Sequence, residues 1–385
     1  LRIADCGLRI ADRRRCVSSR GWKWERVQSL AAPTRWPSSN PQSAIRNPQS
    51  QRMSEPISIP TAQPPGAWRR LTRNRVAVAA MIILAGIASV AIFGPSIFPY
   101  SPEKVTPHSL HPPSWLPLGA EQAKMDSDRG GAVATWQYPF GTDMNGRDVF
   151  SRVIQGARVS LIVGLCGALV SFFIGTTYGL IAGYIGGRTD NVMMRFIEML
   201  HSVPRLIIVI VAIFTFAPWL ETTLHSVGWI TYLWPGAEGY AKIIILILCL
   251  GLIEWLAMAR IVRGQVLALK EQQFVLAARA LGQSHTRILL RHLLPNLIGV
   301  IVVYLTLTIP AVILDESFLS FLGLGISDPQ ASWGSLLSDG KNVINPVRSY
   351  WWLLLFPAAA MSLTLVALNF LGDALRDALD PRARM

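Results

Sequence analysis

Six apolar runs constrain this sequence more than any other feature: residues 76–94, 159–181, 206–220, 243–259, 297–314 and 350–371. They are 15 to 23 residues long, and Glu254 is the one charged residue inside them. A perpendicular crossing of a bilayer takes about 20 apolar residues, with roughly 17 to 25 tolerated. A lipid-exposed run of this length must satisfy its backbone hydrogen bonds internally, as a helix. The two shorter runs, 206–220 and 243–259, are expected to borrow a turn from their flanks. A buried or re-entrant segment is the alternative for 206–220, but an odd number of crossings would separate the basic segments described below. Composition agrees: 51% of residues are hydrophobic and 15% charged, against about a quarter charged in soluble domains. The expected fold class is an all-α integral membrane protein with six transmembrane helices.

Basic residues orient such a chain, because loops rich in Lys and Arg stay on the cytoplasmic side. Arg69, Arg70, Arg73 and Arg75 precede the first run. The loop 260–296 carries Arg260, Arg263, Lys270, Arg279, Arg287 and Arg291 against the single acid Glu271, whereas 221–240 has neither Lys nor Arg. Both termini and the 260–296 loop are therefore expected in the cytoplasm, with 95–158 and 315–349 outside. Residues 1–52 differ from the rest: 1–51 lack methionine and repeat NPQS at 40–43 and 47–50. They are expected to be a spurious translated extension, with the true start at Met53, so that part of the net charge of +13 is foreign to the fold. Residues 53–75 then form a cytoplasmic N-terminal segment, 159–371 hold five of the six helices, and 372–385 are a cytoplasmic tail.

The chain offers no chemistry of its own. It has no GxxxxGK[ST] loop to cradle a nucleotide phosphate, no HExxH, CxxC or GxSxG motif, and its four cysteines build neither a disulfide framework nor a metal site. No catalytic residue, metal or cofactor is expected. Active transport through it would draw on an ion gradient or on another polypeptide. Gradient-driven carriers place ionisable groups deep in the bilayer. The candidates are Glu254, which a local salt bridge explains equally well, and the set Glu198, His201 and Arg205, read as interfacial and structural. The second run carries Gly167, Ser171, Gly175, Gly179 and Gly183 at four-residue spacing. Such a small-residue face admits close backbone approach, either within the chain or at a seam with a second chain.

Residues 271–292 are helical in pattern but too polar to cross a membrane. On a helical wheel, Phe274, Leu281, His285, Ile288 and His292 share a side flanked by Ala277 and Ala278, with Gln272, Arg279, Gln283 and Arg287 opposite. Gly282 allows a break between two short helices or the close approach of a partner, and Pro295 is expected to end the segment. An amphipathic helix lying on lipid is the alternative. With few large apolar side chains on its face, a docking knob is the better reading.

The motif AARALG…LLPN, Ala277–Gly282 with Leu294, Pro295 and Asn296, resembles the coupling-loop signature of binding-protein-dependent ABC importers. Ala277, Ala278, Gly282, Leu294 and Pro295 match; Leu276 stands where glutamate is usual and His292 where isoleucine is usual. GTDMNGRDVFSRVIQGARVSL (141–161), ESFLSFLGLG (316–325), PQASWGSLL (329–337) and NFLGDALRDALDP (369–381) are similar to the C-type permease of dipeptide and oligopeptide importers. Permeases for nickel and for some glycans or opines share these blocks. The resemblance spans about 69–381 and implies the type I ABC importer permease fold in a bacterial inner membrane. It implies a heterodimer with a second permease subunit, two cytoplasmic ATPase subunits, an extracytoplasmic solute-binding protein and surrounding lipid, with no nucleic acid. The implied contact to the ATPase is made by Phe274, Ala277, Ala278, Arg279, Gly282, Arg287, Leu294 and Pro295.

Outside, Asp143, Arg147 and Asp148 are read either as a contact for the binding protein or as caps of the following helix. Gly323 and Gly325 mark a reversal directed at the translocation path. Trp333, Tyr350, Trp351 and Trp352 are expected to be interfacial anchors. The function expected is a non-catalytic permease half that moves peptides. Nickel or another small solute is the alternative, followed by an ion-coupled carrier or a non-transporting anchor.

Overall fold

A computed structural model describes residues 67–97, 101–116, 137–226, 240–326, 328–344 and 349–379. The expectation for 1–52 lies outside the described residues. Six described helical segments are long and apolar enough to cross a membrane. These are α2 (Arg75–Ile97), α3 (Val149–Ile185), α5 (Arg205–Ser226), α6 (Ala241–Leu269), α9 (Leu294–Phe321) and α11 (Trp352–Leu379). Between them lie α1 (Ala67–Arg73), α4 (Gly187–Ser202), α7 (Gln273–Ala280), α8 (His285–Ile288) and α10 (Trp333–Asn342). Among the described residues the only β pairing is one isolated bridge, Thr142 to Asp148.

The small-residue face of α3 packs within the chain. A Cβ on Gly175 would lie 2.6 Å from Met258 Cβ, one on Gly179 2.5 Å from the Ala259 carbonyl oxygen, and one on Gly183 2.8 Å from Val266 Cβ. At the other end of the stripe, Gly167 faces Val312 of α9, while Gly251 of α6 faces Val170 and the Gly167 carbonyl. Ser171 is fully buried in this seam. With lipid on the outside, helices gain little from hiding apolar surface, and close backbone packing of this kind supplies the cohesion. Thus α3 and α6 are in contact over four turns, with α9 against the upper part of α3.

The sequence and the structure part company at three places. First, α3 begins at Val149, ten residues before its apolar run, because the Asp148 carboxylate accepts hydrogen bonds from the Phe150 and Ser151 amides and caps the helix. Second, a polar helix that the apolar runs did not mark, α4, precedes the third crossing. Asp190 pairs with Arg263, the Tyr178 hydroxyl donates to the Met193 carbonyl, His201 meets Arg260 and Arg205 meets Glu254. These pairings hold α4 and the start of α5 against the stretch of α6 from Glu254 to Arg263, and Val203 and Pro204 separate α4 from α5. Third, Trp333 and Trp352 are not interfacial anchors. Trp333 is fully buried, its indole N–H donating to the Val153 carbonyl over 3.3 Å, and Trp352 is buried against Gly141. The helical extension at 149–158 creates the apolar wall they fill.

Candidate functional site

The hairpin at one end of the bundle is built from α7, a turn, α8 and a π-helical turn, Leu289–Leu293, that runs directly into α9. Gly282 makes the turn: its φ is +72°, its amide donates to the Arg279 carbonyl and the Gln283 amide to the Ala278 carbonyl. This is a Schellman cap, which glycine enters without a Cβ penalty. A continuous wheel over 271–292 therefore fails. Leu281 is 80% exposed, and Val275, absent from the predicted face, is fully buried with Ile288 and Leu293. Pro295 does not end the segment either. It sits in the first turn of α9, where a missing amide hydrogen costs little, and the π turn just before it bonds the Leu294 amide to the Leu289 carbonyl.

Val275, Ala278, Ile288, Leu293, Leu297 and Ile301 share one apolar cluster with Leu180 and Tyr184 of α3 and Val262 and Val266 of α6. Polar contacts add to it. Lys270 donates to the Gly183 carbonyl, the Tyr184 hydroxyl lies 2.8 Å from His285 Nδ1, and the Arg279 guanidinium sits 5.0 Å from the Tyr184 ring centre. His292, which departs from the importer signature, lies 2.9 Å from the Gln283 side-chain oxygen across the turn. Of the signature residues, Ala278 faces inward and Leu294 is half-buried, whereas Phe274, Ala277, Arg279, Gly282, Arg287 and Pro295 are exposed. Leu276, Leu281 and Leu290 add exposed apolar surface around them.

At the other end of the bundle, Asp143 accepts from the Arg147 amide and pairs with the Arg147 and Arg152 guanidiniums at 2.8 and 2.6 Å. Both arginines also reach Asp328, and Arg152 reaches Asp339 at 3.0 Å. Asp148 serves as the cap of α3, and its burial pushes the carboxyl above its ordinary value against the pull of its hydrogen bonds. The capping and bracing role thus accounts for the contacts of all three residues. Arg152, Asp328 and Asp339 escaped sequence reasoning because their pairing spans up to 187 positions. Glu316, fully buried, is surrounded by the hydroxyls of Ser160, Ser317 and Ser320. The set Glu198, His201 and Arg205 does not act together. Glu198 pairs with Arg195 and His201 with Arg260, while Arg205 joins Glu254 and Asp315.

A six-helix bundle with a helical hairpin fixed to three of its crossings defines a multi-pass helical membrane protein. Residues 175–385 match the binding-protein-dependent transport system inner membrane component, and 66–113 match the N-terminal transmembrane domain of oligopeptide transport permease C. A dipeptide transport system permease protein of Bacillus subtilis is 42% identical over 341 residues, 88% of this chain and 92% of that one. Oligopeptide transport system permease proteins of Haemophilus influenzae and Escherichia coli K12 are each 41% identical, over 83% of this chain and 88% and 91% of theirs. The chain belongs to the binding-protein-dependent transport system inner membrane component family, as a multi-pass inner-membrane permease subunit of the C type. As such it works with other transporter components.

Proposed function

We propose that this subunit forms half of the path of an ATP-driven importer of dipeptides or oligopeptides. Its substrate is delivered by an extracytoplasmic binding protein, and the energy comes from two ATPase chains that seat on the α7–α8 hairpin. The observation that carries this reading is the hairpin itself: one side is locked into the cores of α3, α6 and α9, and the other leaves Phe274, Ala277 and Leu281 uncovered. A rigid element of that kind passes a rotation to the helices it is packed against. The hairpin end would be cytoplasmic, with both termini there and with Arg279 and Arg287 facing acidic groups of the ATPase. The second permease subunit would complete the path. The relatives' names speak for peptides, and nickel appears in none of those cited.

The test uses two substitutions at one position. A Cβ at Gly282 meets nothing within 4 Å, so Gly282→Ala and Gly282→Trp carry the same backbone penalty of about 1 kcal/mol and differ in outward bulk. Gly282→Trp is expected to lose ATPase co-purification, stimulated hydrolysis and peptide uptake together, while Gly282→Ala keeps most of each. Equal behaviour of the two variants would sink the reading. A cysteine at Ala277, which is exposed, should crosslink to the ATPase cleft with a yield that changes on adding ATP.

A further inference from the structure

Arg205, Glu254 and Asp315 come from three different crossings, α5, α6 and α9. The guanidinium lies 3.4 Å from a Glu254 carboxylate oxygen and 3.0 Å from one of Asp315. Glu254 lies inside the apolar run 243–259, six residues before Arg260 or about 9 Å along the helix, so its carboxylate is within the span, while Arg205 opens α5 and is 56% exposed. Ionised groups at such depth are costly, face protein or water, and mark pathways. Two carboxylates here share one cation. The next cations along α6 are engaged elsewhere, Arg260 beside His201 and Arg263 on Asp190.

Two members of the cluster line a cavity of about 710 Å³ between the end of α4, α5 and α6, and Asp315 joins them through Arg205 rather than through the lining. Arg205 and Glu254 are its charged lining, and Ile208, Phe216, Leu252 and Cys249 are among its apolar walls. Its mouth includes the Val203–Pro204 interruption, and its volume falls within the roughly 300–1,000 Å³ of small-ligand sites. Phe216 and Leu252 are about half exposed, so the cavity is an open apolar groove with charge at one place, which accepts varied side chains while fixing one common group. The Glu254 side chain is 16% exposed and that of Asp315 12%, so the carboxylates are neither sealed nor freely hydrated.

We propose that Glu254 receives the terminal ammonium of the peptide as it passes through this subunit, with Asp315 holding Arg205 in place behind it. The inference rests on the peptide-import reading above. A free amino terminus is common to unblocked peptides whatever their side chains, it is largely protonated at neutral pH, and it would balance the second carboxylate. The apolar wall accommodates the rest of the molecule.

The experiment uses the complete transporter reconstituted in vesicles with loaded binding protein and radiolabelled trialanine. Glu254→Gln is expected to lower peptide moved per ATP hydrolysed about tenfold, as loss of a charge-assisted contact would, and Asp315→Asn to lower it less. Binding-protein-stimulated hydrolysis should stay near that of the unaltered complex, and Glu254→Asp should restore much of the transport. The site is refuted if Glu254→Gln moves peptide at the unaltered ratio. Failure of the unaltered complex to accumulate any peptide would instead overturn the import reading. If a variant does not assemble, alkylation of the native Cys249 in the unaltered complex decides. Trialanine should slow its modification, read by mass spectrometry, and N-acetyl-trialanine should not; equal rates with the two peptides overturn the proposal.

Discussion

At Gly179 even a methyl group has nowhere to go, since it would lie 2.5 Å from the Ala259 carbonyl oxygen and 3.0 Å from the Arg263 amide nitrogen. Backbone cannot yield as a side-chain tip can, so Gly179→Ala is expected to cost at least the roughly 1–3 kcal/mol of an overpacked core, and Gly179→Leu to abolish folded protein. Gly264 is the control. It lies in the same α6, with nothing within 4 Å of a Cβ, and replacing it by alanine should leave the isolated subunit as stable or about 0.5–1 kcal/mol more so. Thermal unfolding in detergent, followed by size exclusion, separates the two outcomes. The four-residue spacing from Gly167 to Gly183 was legible in the sequence because it is a local pattern. Its facing residues were not, because Met258, Val262 and Val266 look like any other apolar helix positions. The same holds for Ala278. Its motif marks it, yet only the break at Gly282 decides that it turns inward while Ala277 stays exposed.

Among the elements, α3 is tied to α10 and to the turn at Asp328 by Arg152, whose side chain is 2% exposed and faces three carboxylates. Asp328 and Asp339 are 56% and 43% exposed and Asp143 keeps Arg147, so losing Arg152 costs less than the roughly 3–5 kcal/mol of a fully buried pair. Arg152→Met is therefore expected to free the connection around Asp328 and Asp339 while leaving the hairpin end intact. Limited proteolysis from the outer side should cut there faster than in the unaltered protein, and an unchanged cleavage pattern would contradict the bracing role. Asp190 offers a milder test at the opposite end. The Arg263 guanidinium holds its carboxyl below the ordinary carboxylate range. That stabilisation is fully present above about pH 4 and disappears only as the pH falls through the lowered value, so neutral conditions report it whole. Asp190→Asn should cost about 1.5–3 kcal/mol, seen as a lower unfolding temperature at pH 7 and as no difference at strongly acid pH. Apolar runs located the crossings well, since bilayer thickness sets their length. The starts of α3 and α4 were missed because amphipathic turns outside an apolar run carry no such signal, and Trp333 was misread because its wall is one of those turns.

For the molecule as a whole, the two ends of the described chain converge. Leu71 and Ala77 pack with Ala374 and Ala378, and Leu379 approaches Gly299 near the start of α9, which is the hairpin's end of the bundle. Reporter fusions at Met385 and within the hairpin should consequently report the same compartment. A fusion in the α5–α6 connection should report the other, and any different pattern would overturn the six-crossing topology. Even crossing number and basic loops made this readable from sequence alone. What sequence could not supply was the meeting of Arg205, Glu254 and Asp315, separated by up to 110 positions. The glycine contacts between α3 and α6 have a mechanical consequence. Two helices meshed backbone to backbone neither slide nor roll on each other, so the pair behaves as a single beam anchored at the hairpin. Over the 37 residues of α3 that beam is about 55 Å long. A tilt of only about 10° at the hairpin would swing its far tip by about 10 Å, the diameter of a helix. Small displacements at one surface of the membrane can thus become a doorway at the other.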